Sequence, residues 1–379
     1  MKLVGCALVS TLSMFAAGCG GDDGGDDFAP VAETYAANVY ANYSDTVAKA
    51  EALKTAVDAF IANPTQATMD AAKQAWLDSR EPYLQTEVYR FYDGPIDNPE
   101  DGPEGEVNSW PLDEVFIDYV VGMPDAGIIN DKTTFPMITV DVIKEQNENG
   151  GEANISAGYH AIEFLLWGQD LSDTGPGARP VTDYVMNDPA GTNQGRRRTY
   201  LQLVTQLLVD DMTQVRDQWA PDQQNYRADF VAGGKDSIRK ILLGMGSLSG
   251  AELSGERMTV ALDNRDQEDE HSCFSDNTHR DLYGNALGIQ NVYLGTYGAN
   301  HGKGIDDLVR AKDVALADKL KMQIAASVAA IQAIPHPFDQ AIKDDTKRPL
   351  IMTAIQDLQT QTETTVEAAT ALGITINLQ

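Results

Sequence analysis

The segment GYHAIEFLLW at residues 158–167 decides the fold. As an α-helix it carries apolar side chains on every face, so we expect it to be buried on all sides. His160 and Glu163 are three residues apart and therefore share one face of that helix. A buried charge is costly unless it is paired or binds a metal ion. Two interpretations stay open: the two side chains satisfy each other inside a core, or they bind a metal.

A second helix, predicted over residues 68–91, carries a polar stripe. Five side chains share one of its faces, because they follow each other at steps of four, three, four and three residues: Trp76, Arg80, Tyr83, Glu87 and Arg90. The two aromatic residues indicate that this face points inward. A row of ion pairs facing the solvent is the alternative.

The segment EDEHSCFSDNTH at residues 268–279 is the second stretch whose side chains could bind a metal ion. Acidic and imidazole side chains are concentrated there, and we take Glu270, His271, Asp276 and His279 as candidate metal ligands. The two imidazoles are separated by a predicted turn and could converge on one point. Alternatively, the acidic run is a solvated helix end, and Ser275 or Asp276 caps the next helix.

Helical periodicity dominates the rest of the chain and predicts an all-α protein. Further helices are expected at residues 31–61, 196–219, 229–250, 305–333 and 348–372. Stretches rich in Gly, Pro and Asp form long irregular loops between them, and the loop at 169–195 is the predicted boundary between bundles. We therefore expect an N-terminal helical bundle over residues 31–180 and a C-terminal bundle over residues 196–379.

The N-terminus is typical of a bacterial lipoprotein signal peptide. A lysine, a short apolar run and the sequence AAGC at residues 16–19 follow one another. We predict cleavage after residues 1–18, lipidation of Cys19 and a flexible Gly/Asp tether over residues 19–30. A secretory signal cleaved nearby is the alternative. The apolar run is too short for a permanent membrane span.

The charge of the chain excludes some partners. Asp and Glu number 57 against 28 Lys and Arg, which gives a formal net charge of −29. Such a chain repels nucleic acid and anionic lipid, so we expect no nucleic-acid partner and membrane contact through the lipid anchor alone. Cys6 leaves with the signal peptide and Cys19 carries lipid, which leaves Cys273 without a partner for an intramolecular disulfide.

Three of these segments together resemble the imelysin family of bacterial cell-envelope proteins: GxHxxE running into FLLWG, the stripe WxxxRxxYxxxE at residues 76–87, and the segment at residues 268–279, which resembles the iron-regulated branch. The resemblance implies an all-helical fold of two bundles, with the GxHxxE helix near their junction and Glu87 close to it. It also implies a link to iron uptake and an older assignment as a metallopeptidase.

The resulting hypothesis is an all-α envelope lipoprotein of two helical bundles, packed side by side with long irregular loops, that takes part in iron acquisition. It would bind a metal ion or a metal chelate between the bundles, with iron as the expected metal and zinc as the alternative. His160, Glu163 and Glu87 would form the site, and Glu270, His271, Asp276 and His279 a second wall. We expect a lipid anchor in the outer membrane, facing the periplasm or the surface, and envelope iron-uptake proteins as partners.

Two other functions stay open. A metallopeptidase would use Glu163 to orient or deprotonate a metal-bound water. The chain lacks the HExxH motif of zinc peptidases, however, so the sequence does not decide whether the protein is an enzyme. The other alternative is an interaction module that docks an uptake partner and binds no metal.

Overall fold

A computed structural model describes residues 28–378. The predicted signal peptide, Cys19 and nearly all of the tether lie outside the described residues, so these predictions stay untested. Within residues 28–378, no helix is both long enough and apolar enough to cross a membrane.

The fold is all-α, as predicted. The helices of the first half are α1 (Ala29–Ala62), α2 (Gln66–Leu84), α3 (Glu104–Val107), α4 (Glu114–Ile117), α5 (Gly127–Asn130), α6 (Val140–Gln146) and α7 (Gly158–Trp167). The second half contains α8 (Gln194–Gln218), α9 (Tyr226–Ala232), α10 (Lys235–Ser247), α11 (Val260–Asn264), α12 (Thr278–Leu294), α13 (Ile305–Lys312), α14 (Val314–Gln332), α15 (Phe338–Lys343) and α16 (Arg348–Ala371). A π-helix (Leu248–Thr259) connects α10 to α11. Short 3-10 turns form at Glu87–Tyr89, Val181–Asp183 and Gln267–Asp269. The strands β1 (Thr296–Tyr297) and β2 (Asn300–His301) form a small antiparallel hairpin.

Two groups of helices build the core. In the first, α1 packs against α2 and α8, and α7 contacts both α2 and α8. In the second, α14 pairs with α16, which also packs on the π-helix. The larger hydrophobic cluster draws residues from both groups, from Val31 to Ile376. Because α8 packs with α1 and α7, helix contacts cross the predicted boundary at residues 169–195, and the bounds of the two bundles stay a prediction.

Helix α2 ends earlier than the periodicity predicts, and this moves Glu87. The helix begins with a capping box between Thr65 and Thr68, and it ends at Leu84 instead of residue 91. Pro82, near its end, cannot donate a backbone hydrogen bond to the carbonyl of the preceding turn. The chain then tightens into the 3-10 turn Glu87–Tyr89. Glu87 and Arg90 therefore do not continue the helical face of Trp76, Arg80 and Tyr83, which corrects the predicted stripe.

Glycines allow the close contacts that position α7 and this turn. Gly158 begins α7 with φ +82°, and a Cβ on it would lie 2.4 Å from the carbonyl oxygen of Val107. Similarly, a Cβ on Gly244 of α10 would lie 2.4 Å from the carbonyl oxygen of Val88. Any larger residue would clash with backbone at both positions. The glycine of the GxHxxE motif is thus explained by close packing of α7 against the end of α3.

Candidate functional site

The site is built around α7, all ten residues of which are buried, as predicted. Nδ1 of His160 and Oε2 of Glu163 are hydrogen-bonded at 2.9 Å, and both side chains are inaccessible to solvent. The spacing of three residues therefore does place the imidazole and the carboxylate together. Nε2 of His160, by contrast, is buried and has no hydrogen-bond partner among the described residues.

The loop after the 3-10 turn Gln267–Asp269 brings a second imidazole to the first. The ring centroids of His160 and His271 are 4.6 Å apart, with the rings close to perpendicular. Trp110 packs beside both, with its ring centroid 5.0 Å from that of His160 and 6.4 Å from that of His271. Two of the segments selected from the sequence thus meet at one point.

Ser275 fastens this loop to α7. Its backbone N–H and its hydroxyl both donate to Oε1 of Glu163, at 2.9 and 2.6 Å. Both carboxyl oxygens of Glu163 are therefore engaged, one by His160 and one by Ser275. Ser275 does not cap α12, whose N-cap is Asn277.

Asp281 of α12 orients His271. Its carboxylate accepts a hydrogen bond from Nδ1 of His271 at 2.8 Å and another from the Ser272 hydroxyl. Arg80 of α2 lies 3.2 Å from the other carboxylate oxygen, and neither side chain of this ion pair is exposed. Burial alone would raise the pKa of Asp281, but Arg80 and the His271 hydrogen bond outweigh it and hold the pKa well below its usual range. Asp281 is therefore ionised at neutral pH.

Arg80 also has neutral partners besides the charged Asp281. Its Nη1 donates to Oδ1 of Asn108 at 2.6 Å, and its guanidinium carbon lies 4.8 Å from the ring centroid of Tyr159. The amide nitrogen of Asn108 lies 3.4 Å from Nε2 of His271, which is a long contact. The side chains of Arg80, Asn108, His271 and Asp281 thus form a closed polar ring.

Burial keeps both imidazoles neutral. It lowers the pKa of His160 well below its usual value, and the charges of His271 and Arg80 add to the effect. Burial, followed by the charge of Arg257, lowers the pKa of His271 to about 4. Burial also raises the pKa of Glu163 to about 8. Neutral imidazole is the form that binds metal ions, so burial keeps both rings in the protonation state that metal binding requires.

The chemistry of this donor set can be compared with that of known metal sites. Imidazoles that bind metal commonly have their other nitrogen hydrogen-bonded to a carboxylate, and both His160 and His271 do. Among residues 28–378, however, no group of three or more His, Cys, Asp or Glu side chains is placed to hold a metal ion. A metal bound here would have only the two imidazole nitrogens as protein ligands, and a chelate or solvent would have to supply the rest.

Glu87 does not lie with the two imidazoles. Its Oε2 is bonded to Arg257 at 2.6 Å and to Arg90 at 3.0 Å, and the side chain is buried. Burial would raise the pKa of Glu87, but the two guanidinium groups outweigh it and lower that pKa. The structure therefore places Glu87 in an ion-pair network beside the imidazole pair, and its role as a metal ligand gains no geometric support.

The other three candidates of the 268–279 segment face a different neighbourhood. His279 stacks on His336 with ring centroids 4.9 Å apart, so it does not converge with His271. Glu270 is buried, and neither of its carboxyl oxygens has a hydrogen-bond partner among the described residues. Burial raises its pKa, and the charges of Asp339 and Asp276 raise it further. Burial and then Asp339 likewise raise the pKa of Asp276, to about 7.

A cleft of about 410 Å³ ends at His271, Asn108 and Trp110. Glu252, Glu256 and Arg257 of the π-helix line one part of it. Trp110 is partly exposed and contacts both imidazoles, so it stands between the cleft and His160. The cleft is therefore the side from which solvent approaches the imidazole pair.

Sequence reasoning missed several residues of this site. Asp281, Asn108 and Ser275 were not selected as site residues, although each contacts an imidazole or Glu163. A signal existed for two of them: Asp281 follows the 268–279 segment in the run NTHRD, and Asn108 belongs to the run NSWP, which ends a long loop. Nothing in the sequence indicated that Arg80 pairs with Asp281.

Comparisons with known proteins agree with this architecture. The profile of the family described as Imelysin, Peptidase_M75, matches residues 39–365. The chain is 26% identical to iron-regulated protein A of Synechococcus elongatus over 326 residues, which cover 83% of this chain and 78% of that protein. The fold of this chain is similar to that of a solved structure described as a putative iron-regulated protein A precursor from Parabacteroides distasonis, with a TM-score of 0.69 and 21% sequence identity. The match covers 90% of this chain and 94% of the other. This chain belongs to the imelysin family.

Proposed function

We propose that this protein binds a metal ion or a metal chelate through His160 and His271 and takes part in iron acquisition. One observation carries the proposal: two buried, neutral imidazoles lie with ring centroids 4.6 Å apart, and the Nδ1 atom of each is hydrogen-bonded to an acidic side chain, Glu163 or Asp281. A hydrogen bond to the nitrogen that does not bind the metal sets the tautomer and the ring orientation of a ligating imidazole. The link to iron rests on the relative from Synechococcus elongatus, which is named as iron-regulated.

The residues around the imidazole pair would have different roles. His160 and His271 would hold the metal, Glu163 and Asp281 would orient them, and Ser275 would keep the loop against α7. Imidazole nitrogen suits iron, zinc and similar borderline metals, and oxygen ligands from a chelate or from water would complete the shell. Trp110 would limit the access of solvent to the pair.

The geometry favours binding over peptide hydrolysis. A general base must be free to take a proton from a metal-bound water. Both carboxyl oxygens of Glu163 are already engaged, by His160 and by Ser275. We therefore expect no metal-dependent proteolysis by purified protein above that of a Glu163→Gln variant. Robust cleavage that disappears in this variant would favour the peptidase.

Metal binding can be tested by isothermal titration with Zn²⁺, with Fe²⁺ under anaerobic conditions and with ferric citrate. The wild type should bind at least one of them with a stoichiometry of about one, because the two imidazoles form a single pair. His160→Ala and His271→Ala should each abolish binding, whereas His301→Ala, which removes an exposed imidazole of β2, should not. Absence of binding in the wild type would favour an interaction module that binds no metal.

The envelope location is a separate part of the proposal. It rests on the AAGC sequence at residues 16–19 and on the Gly/Asp tether that follows. The native protein should partition with membranes through lipid on Cys19, and Cys19→Ser should release it or leave the signal uncleaved. A mature, membrane-bound Cys19→Ser protein would refute lipidation.

A further inference from the structure

The cleft that ends at His271 is strongly acidic. Its carboxylate side chains are Glu104, Glu152, Glu252, Glu256 and Asp269, and the only cationic side chains that line it within residues 28–378 are Arg90 and Arg257. Glu152 and Glu256 are exposed to solvent. The negative charge is therefore found at the mouth of the cleft as well as along its walls.

The two guanidinium groups of the cleft are already committed to carboxylates. Arg257 bonds Glu87 at 2.6 Å and Glu252 at 2.9 Å. Arg90 bonds Glu87 at 3.0 Å and Glu104 at 2.9 Å. Three carboxylates thus surround two cations, and among the described lining residues no further cationic side chain offsets Glu152, Glu256 and Asp269. An anion entering the cleft would find no free guanidinium.

The wall that carries this charge has an unusual backbone. The segment Leu248–Thr259 forms twelve residues of π-helix, in which each turn is wider than in an α-helix. Glu252 and Arg257 are five residues apart, which is the hydrogen-bond spacing of a π-helix, and their side chains form an ion pair. π-Helical turns are rare and occur often at functional sites. Here the π-helix turns Glu252, Glu256 and Arg257 toward the cleft.

We infer that the imidazole pair takes its metal as a free divalent cation through this cleft and not as an anionic chelate. This inference rests on the proposed function and adds the class of ligand. A cleft lined by charge of one sign concentrates ions of the opposite sign and repels ions of the same sign. Its size allows a hydrated ion, because a shell of six water molecules needs about 180 Å³ at about 30 Å³ each, and the cleft has about 410 Å³.

The test compares two double variants that remove the same amount of charge. Glu152→Gln with Glu256→Gln removes two exposed carboxylates from the cleft, and Glu33→Gln with Glu51→Gln removes two exposed carboxylates from α1. The two ligands are Zn²⁺ and ferric citrate, which is anionic. Their dissociation constants are measured by isothermal titration at low and at high ionic strength, with His160→Ala marking the signal that belongs to the imidazole pair.

The cleft variant should bind Zn²⁺ roughly tenfold more weakly than the wild type at low ionic strength, and the difference should shrink as salt screens the charges. It should bind ferric citrate more tightly than the wild type does. The α1 variant should match the wild type for both ligands. Equal Zn²⁺ affinity in the two double variants, or tighter binding of ferric citrate than of Zn²⁺ by the wild type, would overturn the inference while leaving metal binding intact. If neither ligand gives a signal that His160→Ala removes, both the inference and the proposed function fail.

Discussion

Replacing Arg80 tests the polar ring behind the imidazole pair. The guanidinium is buried, 3.2 Å from the carboxylate of Asp281, whose side chain is also inaccessible. Arg80→Met keeps most of the side-chain volume and removes the charge. Asp281 would retain hydrogen bonds from His271 and Ser272 but would lose its buried counter-ion.

The expected loss of folding stability in Arg80→Met comes mainly from leaving Asp281, one member of a buried ion pair, without its partner. That change costs about 3–5 kcal/mol, whereas replacing both members by neutral side chains costs much less. Loss of the aromatic contacts with Tyr159, Tyr83 and Trp76 adds about 1–2 kcal/mol. We therefore expect Arg80→Met to lower the free energy of unfolding at pH 7 by about 4–7 kcal/mol.

The assay is urea denaturation of the wild type, Arg80→Met, Asp281→Asn and the double variant. The double variant should be more stable than the sum of the two single losses by about 2–3 kcal/mol, because it leaves no charge without a partner. Arg80 holds the pKa of Asp281 down. The stabilisation by the Arg80–Asp281 ion pair is therefore present above the unfolded-state pKa of about 3.9 and is lost as the pH falls further. Additive losses at pH 7 would refute the proposed coupling.

Three other predictions concern separate parts of the chain. Burial raises the pKa of Asp211 to about 7, so the wild type should lose stability as the pH rises from about 4 to 7. Asp211→Asn should therefore be more stable than the wild type at pH 8, by at most about 4 kcal/mol, but not at pH 4. Equal pH profiles of the two proteins in urea denaturation would contradict this. Gly158→Ala should destabilise by more than about 2 kcal/mol, because its φ of +82° and the Val107 carbonyl both exclude a Cβ, and unchanged stability would argue against that close contact. Free metal at a thousandfold excess over its Kd should stabilise the wild type by about 4 kcal/mol. Thermal unfolding should show that His160→Ala and His271→Ala each lose most of this shift and that the double variant loses little more, whereas additive losses would indicate two sites.

Local sequence patterns predicted the helix at the centre of the fold and the contact within it. The segment GYHAIEFLLW has no polar face, so it is buried all round, and the spacing of His160 and Glu163 places them in hydrogen-bond contact. These outcomes depend on the helical repeat alone. The end of α2 was harder to predict, because the periodic stripe continues to Arg90 although the helix stops at Leu84.

The remaining features depend on contacts between distant segments, which periodicity does not encode. His271 meets His160 and His279 meets His336, although both pairings lie beyond the reach of a local pattern. Arg197, one of three consecutive arginines at the start of α8, is buried against Asp118, with Nη2 2.9 Å from Oδ1. The sequence shows that such groups need partners, but tertiary packing decides which partners they have.

X-ray absorption spectroscopy of the protein loaded with one equivalent of Zn²⁺ tests the central claim most directly. If His160 and His271 hold the metal, the spectrum should show two imidazole nitrogens at about 2.0–2.1 Å, with oxygen in the remaining positions. His160→Ala and His271→Ala should each prevent loading of this shell, and His301→Ala should leave it unchanged. A shell of oxygen alone in the wild type, or a two-imidazole shell that survives in His160→Ala, would contradict the assignment of the metal to this pair.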